Sequence, residues 1–227
     1  MTMEQPESSD TAPGIDERST MSDLSDTDAG RDLQLGTVLF VGDSIIQAGA
    51  WEEWLTASTV VDEGHGGATT ADVVARLPEL VEQAPDTVVL LVGTNDLAWH
   101  RTTEHIVRNI ETIVATLRRD LPDVRLLVNS VLPRGHEFAP QIRDVNRHLW
   151  QFAPTAHAAY LDLWPVFATE DGAMDDRYSP DRLHLNEDGY RAWREALGPA
   201  LDSLLRMPPR TRPITLPFDE FARPKTA

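Results

Sequence analysis

The chain has 227 residues, 41% hydrophobic and 25% charged, enough for one ordinary domain with a buried core and flanking segments. Lys and Arg number 20 against 37 Asp and Glu, a formal charge of −17, which repels phosphate backbones and anionic lipid surfaces. Neither a nucleic-acid nor a membrane partner is therefore expected. Cysteine is absent, which removes disulfides, thiolate metal ligands and a cysteine nucleophile together. No apolar run approaches the ~20 residues of a membrane span. The opening MTMEQPESSD has neither a basic nor an apolar signal region, so a cytoplasmic location is expected.

Residues 1–34 carry nine acidic side chains against Arg18 and Arg31, among many Ser, Thr, Gly and Pro. Such a segment buries too little apolar surface to offset its chain entropy, and a disordered acidic N-terminal arm is expected. Residues 35–206 then alternate short β-branched runs with longer amphipathic stretches. The expected strands are Thr37–Val41, Thr59–Val61, Thr87–Val92, Val124–Val128 and Ala158–Leu161. Three of them (VLFV, VVLLLV and VRLLV) are almost continuously apolar, as strands covered on both faces of a parallel sheet are. Helices are expected over about 69–84, 103–120, 138–153 and 187–205, with Thr102 or Thr103 capping the second and Pro122 closing it. This alternation points to a right-handed, doubly wound α/β domain. Residues 207–227, rich in proline and basic residues with Ile214, Leu216, Phe218 and Phe221 among them, read as an extended C-terminal tail.

In such a sheet, ligands bind beyond the carboxyl ends of the strands. The first strand runs into Gly42-Asp43-Ser44. A serine there can attack an acyl carbon while its own N–H faces the oxyanion that forms. By itself the segment also reads as a helix cap. It matches neither the GxxxxGK[ST] nor the GxGxxG phosphate-binding spacing. The second strand exits into Gly64-His65-Gly66-Gly67-Ala68-Thr69-Thr70, whose glycines expose backbone donors; an ordinary strand–helix turn looks the same. The third exits into Gly93-Thr94-Asn95-Asp96. The Asn95 amide is a neutral, directional oxyanion donor or a loop cap, and Asp96 is expected to bond backbone N–H groups. His65 and Trp99 are candidate pocket-lining residues, although Trp99 and His100 also read as surface loop. Asp181 precedes His184 by three residues, so its carboxylate can fix one imidazole nitrogen and leave the other facing a nucleophile. Asp62 and His65 share that spacing.

The blocks GDS (42–44), GxxGGxTT (64–70), GTND (93–96) and DxLHLNxxGY (181–190) together resemble the SGNH/GDSL hydrolase family, over nearly all of 35–206. The resemblance implies a flavodoxin-like three-layer α/β/α sandwich with a five-stranded parallel sheet. It implies Ser44 as nucleophile, Asp181 and His184 as the other triad members, and Ser44, Gly67 and Asn95 as the oxyanion hole. It also favours His184 over His65. Val131-Leu132-Pro133-Arg134-Gly135 is similar to the platelet-activating-factor acetylhydrolase-like and short-chain acyl esterase branch. One departure is Ala68, where members commonly carry an aspartate that braces the loop. The implied activity is hydrolysis of a small-molecule acyl ester through an acyl-serine. With no long apolar insertion to form a lid, small or short-chain esters are expected. No cofactor or metal is implied, and the oligomeric state is not readable. An acyltransferase would use the same residues, and an inactive ligand-binding module would keep the fold alone. A nucleotide-binding or receiver-type domain would need a phosphate loop or paired acidic residues at the first strand end.

Overall fold

The run TVLFVG, Thr37–Gly42, forms strand β1, and Val38, Leu39, Phe40 and Val41 are all wholly excluded from solvent. A strand apolar on both faces must lie inside a sheet covered on both sides. The computed structural model describes residues 32–207. The expected acidic arm and extended tail lie outside the described residues, apart from 32–34 and 207.

After β1 the chain forms α1 (Ser44–Gln47), α2 (Trp51–Trp54), β2 (Thr59–Gly64), α3 (Thr70–Ala75), α4 (Leu77–Glu82), β3 (Thr87–Leu91) and α5 (Thr94–Ala98). It continues with α6 (Thr103–Asp120), β4 (Arg125–Asn129), α7 (Ala139–Phe152), β5 (Ala159–Leu161), α8 (Trp164–Phe167) and α9 (Glu187–Arg206). All strand pairs are parallel, in the order β2-β1-β3-β4-β5. This is the five-stranded α/β architecture expected from the sequence. Its strand order is the flavodoxin-like one, whose ligand crevice opens where β1 and β3 diverge. No helix among the described residues is long and apolar enough to cross a membrane.

Alternation along the strands divides the core into two layers. Leu39, Val41, Val88, Leu90, Leu126 and Val128 face Val73, Leu80, Ile113 and Val145 on α3, α4, α6 and α7. Val38, Phe40, Val89, Leu91 and Leu127 face Trp51, Trp54, Trp193 and Leu197 on α2 and α9. Two expectations shift. The single helix expected over 69–84 is two, α3 and α4, broken at Arg76 (φ −92°, ψ 0°) with Pro78 in the first turn of α4. Proline lacks the N–H and crowds the carbonyl four residues back, so the helix restarts there. Strand β2 runs on past Val61 to Gly64, because the ladder with β1 continues to the pair Gly42–Gly64.

Trp51 ties the layer beneath the first strand end together. It stacks on Phe40 with centroids 4.3 Å apart and meets Trp193 edge-on at 4.8 Å. Its indole Nε1 donates to the Ile46 carbonyl at 2.7 Å. Trp51→Ala is expected to cost roughly 3–5 kcal/mol, read from urea unfolding, because it opens a large cavity and removes one of the hydrogen bonds to that carbonyl.

Candidate active site

Gly42 is required at the end of β1, because a Cβ there would lie 2.0 Å from the Leu91 carbonyl oxygen. Asp43 follows, and its carboxylate accepts the Ile45 N–H at 2.9 Å, capping α1. Ser44 is thus the first residue of the helix and not its cap, so its hydroxyl is not needed for local structure. Its Oγ has no hydrogen-bond partner among the described residues. Asp43 is fully buried and its second oxygen, Oδ2, is unpartnered. Burial pushes the Asp43 carboxyl up to about 7, and the Asp96 charge adds to the rise. The Ile45 N–H and the charges of His184 and Arg134 oppose it. The electrostatic reach of Asp43 therefore includes His184, 141 positions away in the chain.

The loop after β2 turns tightly, with the Ala68 N–H donating to the His65 carbonyl at 3.0 Å. Gly67 sits at φ +77°, and a Cβ built on it would meet nothing within 4 Å. Its backbone therefore borders open space in a conformation that favours glycine. Although Ala68 cannot brace this loop with a side chain, the loop is held from the next one. Asn95 Nδ2 donates to the Ala68 carbonyl at 2.9 Å. The buried Asp96 carboxylate accepts the Thr70 N–H at 2.8 Å and the Thr70 hydroxyl at 2.6 Å. Asp96 thus bonds a backbone N–H, as expected, but one 26 positions away. Thr69 caps α3 in a capping box with Asp72. Among the described residues, the N–H groups of Ser44 and Gly67 donate to no protein acceptor, and Asn95 uses its amide on Ala68 alone.

The last loop holds the imidazole. Asp181 Oδ2 meets His184 Nδ1 at 2.8 Å. Its Oδ1 accepts the Leu183 N–H (2.9 Å), the His184 N–H (2.8 Å) and the Ser179 hydroxyl (3.1 Å). The hydrogen bond from His184 leads these interactions in holding the Asp181 carboxyl far below the usual carboxylate range. An ionised Asp181 keeps the Nδ1 proton in place and leaves Nε2 as the acceptor. That nitrogen has no partner among the described residues. Asn186 caps α9 by accepting the Gly189 N–H at 2.9 Å, and a Cβ on Gly189 would lie 2.7 Å from the Tyr178 carbonyl. From the first turn of α9, the Tyr190 hydroxyl donates to the Ile45 carbonyl at 2.8 Å. This bond joins α9, which follows the histidine loop, to the serine helix.

The alternative pair is not formed. Asp62 Oδ1 accepts the Gly64 N–H at 2.7 Å, while His65 Nδ1 lies 2.7 Å from Arg76 Nη1 and 3.2 Å from the Glu63 carbonyl. His65 is exposed and engaged with Arg76. Trp99, at the end of α5, is 69% exposed. Sequence reasoning assigned no role to Asp43, Tyr190 or Arg134. The last follows β4 and donates from Nη1 to the Thr94 carbonyl at 2.9 Å. Among the described residues, no group of three His, Cys, Asp or Glu side chains is placed to hold a metal ion.

The family model described as GDSL-like Lipase/Acylhydrolase matches residues 40–192. The platelet-activating factor acetylhydrolase IB subunit alpha1 of Rattus norvegicus is 34% identical over 179 residues, covering 74% of this chain and 76% of the relative. The alpha2 subunit of Homo sapiens is 32% identical over 190 residues, covering 79% and 82%. The crystal structure of a GDSL-like lipase from Bacteroides thetaiotaomicron has a TM-score of 0.65 at 20% identity, covering 74% of this chain and 88% of that one, and shares the fold.

Asp43 is protonated up to about pH 7 in the folded chain but only up to about 3.8 when unfolded. The folded state therefore binds more protons between those values, and stability falls as pH rises through that window. Asp43→Asn removes this dependence. Urea unfolding at pH 4 and pH 7.5 is expected to show wild type losing a few kcal/mol relative to the variant over that range. A constant difference between the two proteins would contradict it.

Proposed function

This chain belongs to the GDSL-like lipase/acylhydrolase family, and with that family it is a carboxylic ester hydrolase; we propose that it acts through an acyl-serine formed on Ser44. The observation that carries this reading is the Asp181–His184 pair, locked at 2.8 Å and tied to the serine helix through Tyr190. His184 Nε2 takes the Ser44 proton as Oγ attacks the ester carbonyl carbon. The carbonyl oxygen becomes an oxyanion, which the N–H groups of Ser44 and Gly67 and the Asn95 amide stabilise. The intermediate collapses, the C–O bond to the alcohol breaks, and His184 protonates the leaving oxygen. Water, deprotonated by His184, then attacks the acyl carbon, and the acid leaves as Ser44 regains its proton. Hydrogen bonds of this kind are often loose before substrate arrives and tighten in the complex, consistent with the unpartnered Oγ and Nε2.

Within the proposal, 35–206 is the catalytic domain and the substrates are small or short-chain acyl esters. The rat and human relatives are named as acetylhydrolases, which agrees with a short acyl group. The proposed roles of His65 and Trp99 are weaker, since the first is bonded to Arg76 and the second is largely exposed.

Hydrolysis of p-nitrophenyl acetate tests the reading. Ser44→Ala and His184→Ala are each expected to lower kcat at least roughly 10⁴-fold, and Asn95→Ala roughly 10²–10³-fold. Equal turnover in wild type, Ser44→Ala and His184→Ala would remove both residues from the mechanism.

A further inference from the structure

We propose that Arg134 forms an anion-binding subsite beside the ester-cleaving groups, so that the favoured substrates are esters carrying a carboxylate or phosphate. The inference rests on the reading of Ser44 and His184 given above and adds the substrate's charge to it.

Arg134 lies just beyond the carboxyl end of β4 and is half-buried. One nitrogen, Nη1, donates to the carbonyl of Thr94, the residue before Asn95. The Phe138 ring lies 4.9 Å from its guanidinium carbon. No carboxylate of the described residues pairs with it, and Nε and Nη2 have no protein acceptor. Of the other desolvated arginines, Arg194 on α9 likewise donates to one carbonyl, that of Gly49, with no carboxylate pair among the described residues, and two are used differently. Arg76 is ion-paired with Glu63, and Arg118 donates to four backbone carbonyls. A guanidinium stays charged even where burial disfavours it, as burial does for Arg134. With Nε and Nη2 free of protein acceptors among the described residues, beside the Thr94–Asn95 turn, the guanidinium is placed to receive an anionic group.

Its position past the carboxyl end of β4 puts it at the sheet edge that carries the ester-cleaving groups. Glu137, three residues on, is the leading charge acting on Arg134 although no bond joins them; Asp181 and Asp43, of the histidine and serine loops, follow. Neither neutralises it directly. Asp181 is held by His184 Nδ1, two backbone N–H groups and the Ser179 hydroxyl. Asp43 is buried and caps α1. The remaining Nε and Nη2 form the side of the guanidinium that grips a carboxylate or phosphate through two parallel hydrogen bonds. Held by Thr94 and Phe138, this fork is oriented before a ligand arrives.

The test uses matched esters with the full-length chain. Mono-p-nitrophenyl succinate against p-nitrophenyl butyrate places the anion on the acyl side. 4-Acetoxybenzoate against its methyl ester places a carboxylate on the leaving group, and 4-acetoxyphenyl phosphate places a phosphate there. The quantity read is the anionic-to-neutral ratio of kcat/KM, which cancels any general loss of activity. Arg134→Gln is expected to lower this ratio roughly 10- to 100-fold for at least one pair, and Arg134→Lys by less. The pair that responds identifies the anion's side and chemistry. An equal change for charged and neutral esters in every pair would make Arg134 a brace for the Thr94 carbonyl only and overturn the proposal.

A measurement on wild type does not depend on either variant folding. Attraction to a local cation makes kcat/KM for the responding anionic ester fall as salt rises from 0.02 to 0.5 M, by screening of roughly the Debye length involved. Repulsion by the overall negative charge makes it rise, and a rise for every anionic ester overturns the proposal. Ser44→Ala separates the two readings. If it retains hydrolysis while the Arg134 ratio still falls, the nucleophile is wrong and the anion subsite stands.

Discussion

Four successive side chains of β1, Val38 to Val41, have no contact with solvent, and this burial on both faces sets the position of everything around the site. The strand has to be flanked by β2 and β3 and covered by helices above and below. Its carboxyl end then opens beside that of β3, at the point where successive connections leave toward opposite faces. Ser44 is the second residue past the end of β1 and Asn95 the fourth past the end of β3, so the parallel sheet puts both at the same edge.

The loops at this edge are braced mainly by one another. Asn95 holds the Ala68 carbonyl, Asp96 holds Thr70, Tyr190 holds the Ile45 carbonyl, and Arg134 holds the Thr94 carbonyl. Three of these four bonds end on a backbone carbonyl and the fourth includes a backbone N–H. Polar side chains here therefore satisfy buried main-chain groups that no strand or helix satisfies. The missing aspartate at position 68 illustrates the redundancy. The loop it would brace is held by the Asn95 and Asp96 side chains that follow β3, two strands over from β2.

Electrostatics at the edge separates two carboxyls by environment. Asp181 accepts four hydrogen bonds and is more than half exposed, so it stays ionised and orients His184. Asp43 is buried with one N–H donor and an orphaned oxygen, so its proton is held to about pH 7. Two acids on adjoining loops thus differ in charge near neutrality because one can be solvated and hydrogen-bonded and the other cannot.

What the sequence determined by itself was local: strand burial from unbroken apolar runs, helix starts at Thr69 or Thr70 and at Thr102 or Thr103, and the residue types at each strand end. The break at Arg76 was missed, although Pro78 was visible, because the periodic apolar pattern continues across it. The four ordered blocks also made Ser44, Gly67, Asn95, Asp181 and His184 legible as a group through resemblance. Spacing alone left Asp62–His65 and Asp181–His184 equivalent. Tertiary structure decided between them, since Asp62 turns to its own loop while Asp181 is closed on His184. It also decided that Asp43 and not Ser44 caps the helix, and that Arg134 bonds the Thr94 carbonyl with two nitrogens left without a protein acceptor among the described residues. The last of these depends on a contact 40 positions apart, which no local pattern encodes; the others are bonds two or three positions apart, for which the same spacing fits more than one partner.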